Sequence, residues 1–407
     1  MKAPKTKIVL RPTNASVLPL LCLLIYAAPA HSQTSSGQTP SGQVSSNPVS
    51  SRQTSPRVTS SEIDAVFASL KSATAPGAAA LVVHHGRIAF RRGYGVTDLR
   101  TLQKIDEHTN FRLASFTKQF TAACIMLLAR DGKLSYDDHL THFFPELPPY
   151  GNSITVRNLL NHTSGLEDYE DLLEKQYPDT PPERIPQILD AGVLKLLEQQ
   201  TSVKFPAGTK WEYSNSGYAV LAMIVEKVSG KPFGQFLQER IFTPLKMTNT
   251  LAYRKGKNEV PHRAYGHTRK DDGWRETDQS PTSAVLGDGG IYSSLDDLAK
   301  WDRALRLHTL LSEAEMHLAL IPVEPTAGPA KSLEGATVSY GFGWFLDPYR
   351  GYARMSHNGD TVGFLTTIQR FPDDQLTIII LANRTDINPE EMALKVADLY
   401  LVKPQAR

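Results

Sequence analysis

The sequence predicts an α+β fold, an antiparallel β-sheet flanked by N- and C-terminal helices with an inserted, mostly helical region. Strand patterns occur near both ends of the folded part: Ala78 to Val83 and Ile88 to Tyr94, then Tyr340 to Leu346, Gly363 to Phe371 and Leu376 to Asn383. Apolar residues at helical spacing bracket these strands and dominate the stretch between them. The chain has 407 residues, of which 41% are hydrophobic and 21% charged. That is enough apolar side chain for a sizeable core in a soluble protein.

The first segment is not part of that core. Lys2, Lys5, Lys7 and Arg11 precede an apolar run, Val17 to Ala27, and Ala28-Pro29-Ala30 follows it. This order of basic, apolar and small residues predicts a secretory signal peptide over residues 1–30. The apolar run is too short for a stable membrane span in the mature chain. Leu21, directly before Cys22, is too bulky for a lipoprotein processing site. Residues 31–60 are rich in Ser, Gln and Thr, bury little, and read as a disordered linker. The folded domain is expected over 61–403, exported to the periplasm or beyond. Cleavage would remove Cys22 and leave Cys124, which sits in an apolar helix and reads as a core residue, with no disulfide partner.

In the folded part, Ile63, Val66, Phe67 and Leu70 fall at helical spacing behind Ser61, a candidate cap. Pro76-Gly77 breaks the chain before the first two strands, joined at His84-His85-Gly86-Arg87. Ser115-Phe116-Thr117-Lys118 then opens an apolar helix that runs to Arg130 and stops at Asp131-Gly132. Residues i and i+3 share a helix face, so the Lys118 amine is within reach of the Ser115 hydroxyl. An adjacent amine is one of the few ways to activate a serine, and the helix N-terminus favours negative charge on its oxygen. Leu166 to Ile188, with Pro178, Pro181, Pro182 and Pro186, reads as a long surface excursion, of a kind that often shapes a substrate pocket. Tyr213-Ser214-Asn215 precedes the apolar helical run Tyr218 to Val228. Gly287-Asp288-Gly289-Gly290 reads as a tight turn, because it lacks the spacing of a phosphate-binding loop. Ser294-Leu295-Asp296-Asp297 has the form of a capping box. His357-Asn358-Gly359 precedes a strand, and a helix from about Pro389 to Leu401 ends the domain.

Several function classes are excluded on composition and pattern. A net charge of +2 and the lack of a basic patch give no case for nucleic acid. The twelve histidines form neither a His-Glu-x-x-His pair nor a Cys/His cluster, so neither a metal nor another cofactor is expected. Gly-x-Ser-x-Gly is absent, which sets aside the α/β-hydrolase elbow.

Ser115-x-x-Lys118, Tyr213-x-Asn215 and His357-x-Gly359, in this order, resemble the three motifs of the penicillin-recognising serine enzymes. That superfamily contains class C β-lactamases, low-molecular-weight penicillin-binding proteins, D-aminopeptidases and related esterases. Phe111 to Ala122, Leu159 to Leu166, Tyr213 to Tyr218 and Gly287 to Ser294 resemble its typical segments, so the likeness spans nearly the whole mature chain. The resemblance implies a serine hydrolase acting through an acyl-enzyme on Ser115, with Lys118 and Tyr213 sharing the proton work as one titrating unit. Which of the two accepts the proton stays open. It further implies that Asn215 holds Lys118 and the substrate amide, that the backbone N–H groups of Ser115 and Asp360 form the oxyanion hole, and that Gly359 admits the substrate backbone.

Two positions depart from the pattern. His357 stands where class C β-lactamases carry lysine, so the positive charge for a substrate carboxylate is conditional on pH. Anionic substrates should then gain as the pH falls towards about 6, near the ordinary histidine value. Asp360 places a carboxylate where many relatives have a small residue. The expected substrate is therefore a small molecule or peptide, including peptidoglycan-derived ones: an ester, a D-amino-acid peptide or a related amide. A true β-lactamase and a non-catalytic peptidoglycan- or partner-binding relative are the alternatives. Export is the prediction most directly checked. Edman sequencing of the protein recovered from periplasm or medium should begin at His31, whereas an intact Met1 in the cytosol would contradict the signal peptide.

Overall fold

Leu376–Ala382 is a run of seven apolar or β-branched residues, the pattern of a strand covered on both faces. The computed structural model, which describes residues 58–401, places it at the centre of a five-stranded antiparallel sheet. Its strands are β1 (Ala78–His84), β2 (Arg87–Tyr94), β3 (Met355–Thr361), β4 (Phe364–Phe371) and β5 (Leu376–Ala382), in the order β2-β1-β5-β4-β3. Alternation along β5 divides two cores. Ile378 and Ile380 face α1 (Ser60–Val66) and the C-terminal helix Pro389–Tyr400, whereas Ile379 and Leu381 face the helical region.

The helical region is inserted between β2 and β3. Its central members are α2 (Lys118–Arg130), α3 (Tyr169–Gln176), α4 (Asp190–Glu198), α5 (Asn215–Ser229) and α6 (Leu295–Arg306). Helix α2 is buried nearly all round, from Lys118 to Leu128, and Gly132 follows it with φ of +67°. Cys124 lies within it as a free, buried thiol that burial pushes up, consistent with a packing role. Helix α6 is tied to the sheet by a buried ion pair. Arg370 of β4 donates from Nε to Asp302 Oδ1 at 3.0 Å, and the Thr377 hydroxyl of β5 donates to the same oxygen at 2.7 Å.

The architecture agrees with the expected α+β class, but local boundaries differ. Thr59 caps α1, in a reciprocal box with Glu62, so residues 58–60 belong to the fold and not to a linker. The signal peptide and the rest of the linker lie outside the described residues, and the predicted end at 403 lies beyond residue 401. Tyr340 to Leu346 is no strand. It makes bridges at Tyr340 and Phe345, the latter to Ser356 on the outer edge of β3. His357-Asn358-Gly359 does precede the strand β4, and it also lies inside a strand of its own, β3. The proline-rich excursion contains α3, whose Tyr169 and Leu172 are buried. Ser294 does precede α6, but its hydroxyl makes no capping bond, and the Asp297 carboxylate, which would complete the box, instead accepts from the backbone N–H of Asn249 and the hydroxyl of Thr250. Among the described residues no helix is long and apolar enough to cross a membrane.

The Asp302–Arg370 pair gives a direct test of the packing. Removing one member strands a buried charge, so Asp302→Ala should lower unfolding free energy by about 3–5 kcal/mol. Urea denaturation followed by circular dichroism checks this, and a loss within experimental error would mean that the pair is solvated.

Candidate active site

The chain immediately before Ser115 is pinned from two directions. Leu113 donates its N–H to Ile291 O at 2.8 Å, and its carbonyl accepts from the Thr366 hydroxyl of β4 at 2.8 Å. Between these anchors and Ser115, Ala114 adopts φ of +51°, a left-handed conformation that costs a non-glycine residue roughly 1–2 kcal/mol. The 3₁₀ turn Ala114–Thr117 then feeds into α2. Ser115 is thereby held at a sharp turn and stays partly accessible, while Lys118 is 0% exposed.

Burying an amine demands acceptors, and Lys118 Nζ has three. It lies 3.1 Å from Ser115 Oγ, 2.9 Å from Asn215 Oδ1 and 3.1 Å from the backbone carbonyl of Asp288. The last two oxygens can only accept. A neutral amine donating to both turns its lone pair toward the serine hydroxyl, which is the orientation needed to take a proton from it. Nζ also lies 4.8 Å from the centroid of the Tyr213 ring, so amine and phenol share one electrostatic environment.

The turn carrying the third acceptor is heavily fixed. Asp190 accepts from the N–H groups of Leu286 and Gly287, both at 2.9 Å, and burial pushes its carboxyl up to about 7. The Thr121 hydroxyl donates to Gly287 O at 2.6 Å, and buried Arg112 donates to Gly289 O at 3.2 Å. Tyr169 donates to Asp288 Oδ2 at 2.7 Å. Gly287 itself leaves no room for a side chain, since a Cβ there would overlap Tyr218 O. The expected tight turn is thus a mount for the lysine, a role the sequence reading did not assign. Its only sequence signal was the recurrence of Gly287 to Ser294 among the segments that carried the resemblance.

Strand β3 closes the other side. Its ladder with β4 and the Phe345–Ser356 bridge on its outer edge turn the N–H groups of Asn358 and Asp360 outward by alternation. Gly359 packs directly on the serine turn: a Cβ would overlap the Leu113 carbonyl and the Thr366 hydroxyl. The expectation that this glycine admits substrate backbone is corrected, because the space it leaves is filled by the protein's own chain.

His357 is 2% exposed in an aromatic enclosure of Tyr213, Tyr340 and Phe345. Its Nδ1 donates to Asn358 O at 2.7 Å, leaving Nε2 to accept from the Tyr340 hydroxyl at 3.2 Å. Burial, then the charge of Lys118, push its value down to about 3. The expected gain of positive charge near pH 6 is therefore corrected: His357 is neutral throughout the physiological range. Asp360 lies exposed on the same strand, and desolvation of its carboxyl raises it to about 6, so it is anionic at neutral pH. By alternation Asp360 shares the strand face of Asn358, which bonds Glu390 of the C-terminal helix, so the place of the comparison lysine is filled by a neutral ring alone.

The beta-lactamase family model matches residues 63–402. A penicillin-binding protein of Bacillus subtilis is 32% identical over 337 residues, 79% of this chain and 71% of that one. A D-aminopeptidase of Brucella ovis is 28% identical over 339 residues, covering 82% of this chain and 61% of that longer one. The crystal structure of a penicillin-binding protein from Bacillus halodurans superposes with a TM-score of 0.70 at 25% identity, over 83% of this chain and 99% of that one.

The buried histidine has a measurable signature. Its folded value is depressed below the ordinary one, so between about pH 6.5 and 3 the unfolded chain binds the extra proton and stability falls as the pH drops. His357→Gln should remove up to about 1.4 kcal/mol per pH unit of that slope. Urea midpoints of wild type and variant from neutral pH downward would show it, and parallel slopes would mean that His357 charges in the folded state.

Proposed function

The chain belongs to the beta-lactamase family, and from that premise we propose that it is an exported serine hydrolase of neutral or amine-bearing acyl compounds, either esters or amides of D-amino acids. The observation that carries this reading is the buried, neutral His357, which offers no positive charge to anchor a substrate carboxylate. β-Lactams and D-alanyl-terminated peptides carry one; short esters and D-amino-acid amides do not. The D-aminopeptidase relative supports the amide branch.

In the proposed reaction, Ser115 Oγ attacks the acyl carbonyl as its proton passes to the Lys118/Tyr213 unit. The oxygen of the tetrahedral intermediate takes hydrogen bonds from the backbone N–H groups of Ser115 and Asp360. The proton returns to the leaving alcohol or amine, and water then hydrolyses the acyl-enzyme through the same unit in reverse. Asn215, bound to the lysine through Oδ1, has its amide N–H₂ available for a substrate carbonyl.

Two measurements test the proposal. Ser115→Ala should abolish both turnover and covalent labelling, while Lys118→Ala and Tyr213→Phe should each lower kcat by about 100- to 10,000-fold with the fold intact. Wild-type rates in folded Ser115→Ala would refute the nucleophile. For substrate class, kcat/KM is compared for p-nitrophenyl butyrate, a D-amino-acid p-nitroanilide and nitrocefin. The ester or the anilide should be cleaved, and nitrocefin slowly if at all, with no rise between about pH 7.5 and 6 because His357 gains no charge there. Nitrocefin hydrolysis at the efficiency of a dedicated β-lactamase would replace this reading with that one.

A further inference from the structure

His162 belongs to the segment Leu159 to Leu166, for which the reaction above finds no use, yet it lies under the reacting groups. It is 0% exposed, and its ring is 4.4 Å from Tyr213, 4.6 Å from Tyr340 and 5.1 Å from Tyr218, centroid to centroid. Two hydrogen bonds tie it to the tyrosine's own backbone neighbours. Glu212 donates its N–H to His162 O at 3.0 Å, and Ser214 donates its N–H to His162 Nδ1 at 3.1 Å. The carbonyl and the ring nitrogen thus act as two successive rungs of a ladder, fixing the residues on either side of Tyr213. To offer both, His162 takes φ of +63°.

The tautomer carries a cost. Since Nδ1 accepts, the proton of the neutral ring sits on Nε2, and that buried N–H has no partner among the described residues. Burial and the charge of Lys118 hold the ring well below the ordinary histidine value, so the acceptor nitrogen stays free.

We propose that His162 is a positioning residue for Tyr213: its ring packs at a tilt against the phenol and its Nδ1 holds the Ser214 N–H, fixing the phenol beside the Lys118 amine. The proposal rests on the reading of Tyr213 as part of the proton-transfer unit. It assigns His162 no contact with substrate and no proton transfer of its own.

Asparagine tolerates a left-handed backbone and places an amide oxygen near the Nδ1 position, whereas phenylalanine keeps a ring and loses the acceptor. His162→Phe should lower kcat on p-nitrophenyl butyrate by about 100-fold, the scale of a small displacement of a reacting group, with KM little changed. His162→Asn should recover most of that loss. Both variants should retain the wild-type circular dichroism spectrum and be assayed well below their melting temperatures. The double variant His162→Phe/Tyr213→Phe should be no slower than Tyr213→Phe alone, because a residue acting through the phenol has nothing left to position. Full activity in folded His162→Phe, an equal loss in His162→Asn, or additive losses in the double variant would each overturn the proposal. If His162→Phe does not fold, His162→Asn and its double variant with Tyr213→Phe carry the same test: the loss in His162→Asn must vanish in the Tyr213→Phe background. Full activity in Tyr213→Phe would instead bring down the reading of Tyr213, and the positioning role with it.

Discussion

Everything around the site follows from burying one amine that, among the described residues, has no carboxylate in contact with it. Lys118 is fully enclosed, and its nitrogen is satisfied by a hydroxyl three residues away, an amide oxygen 97 residues on and a backbone carbonyl 170 residues on. Those groups come from the start of α2, the start of α5 and the turn at Leu286–Gly289. An unsatisfied buried amine is expensive, so the three segments must meet for the domain to be stable. The surrounding polar groups, Asp190, Thr121, Arg112 and Tyr169, hold the turn so that its carbonyl does not drift.

A second constraint acts at the junction of the helical region with the sheet. Leu113 is gripped by Ile291 on one side and Thr366 on the other, which forces the strained Ala114 and presents Ser115 at the surface of the cleft. Strain of this kind persists only where neighbouring structure over-determines it. Gly359 is part of that structure. The same glycine looks like a substrate-binding feature from its motif and is a packing requirement of the nucleophile turn in the folded chain.

The charges divide cleanly. Burial, with a smaller contribution from Lys118, keeps the two buried histidines, His162 and His357, neutral. Neutral rings can accept hydrogen bonds at one nitrogen, and each does so: from a backbone N–H beside Tyr213 in one case and from Tyr340 in the other. The electrostatic character of the cleft is therefore set by what surrounds the histidines and not by their intrinsic titration. With His357 neutral, the β3 side of the site offers no fixed positive charge to an anion.

The sequence by itself determined the class of fold, the family, and the identity of Ser115, Lys118, Tyr213 and Asn215 as groups that meet. Periodicity, strand runs and i,i+3 spacing are local properties, so they survive in one dimension. The assignments that failed or were missing concern environment. Whether His357 carries charge depends on its enclosure by three aromatic rings distant in sequence. Whether Gly359 faces substrate or Leu113 depends on how β3 seats against the serine turn. The third acceptor of Lys118 is a backbone carbonyl, which has no residue identity to read. His162 is one histidine among twelve until the fold lays its ring under Tyr213. Only the tertiary structure decides such matters, because burial, solvation and close approach belong to the arrangement of segments and not to any one of them.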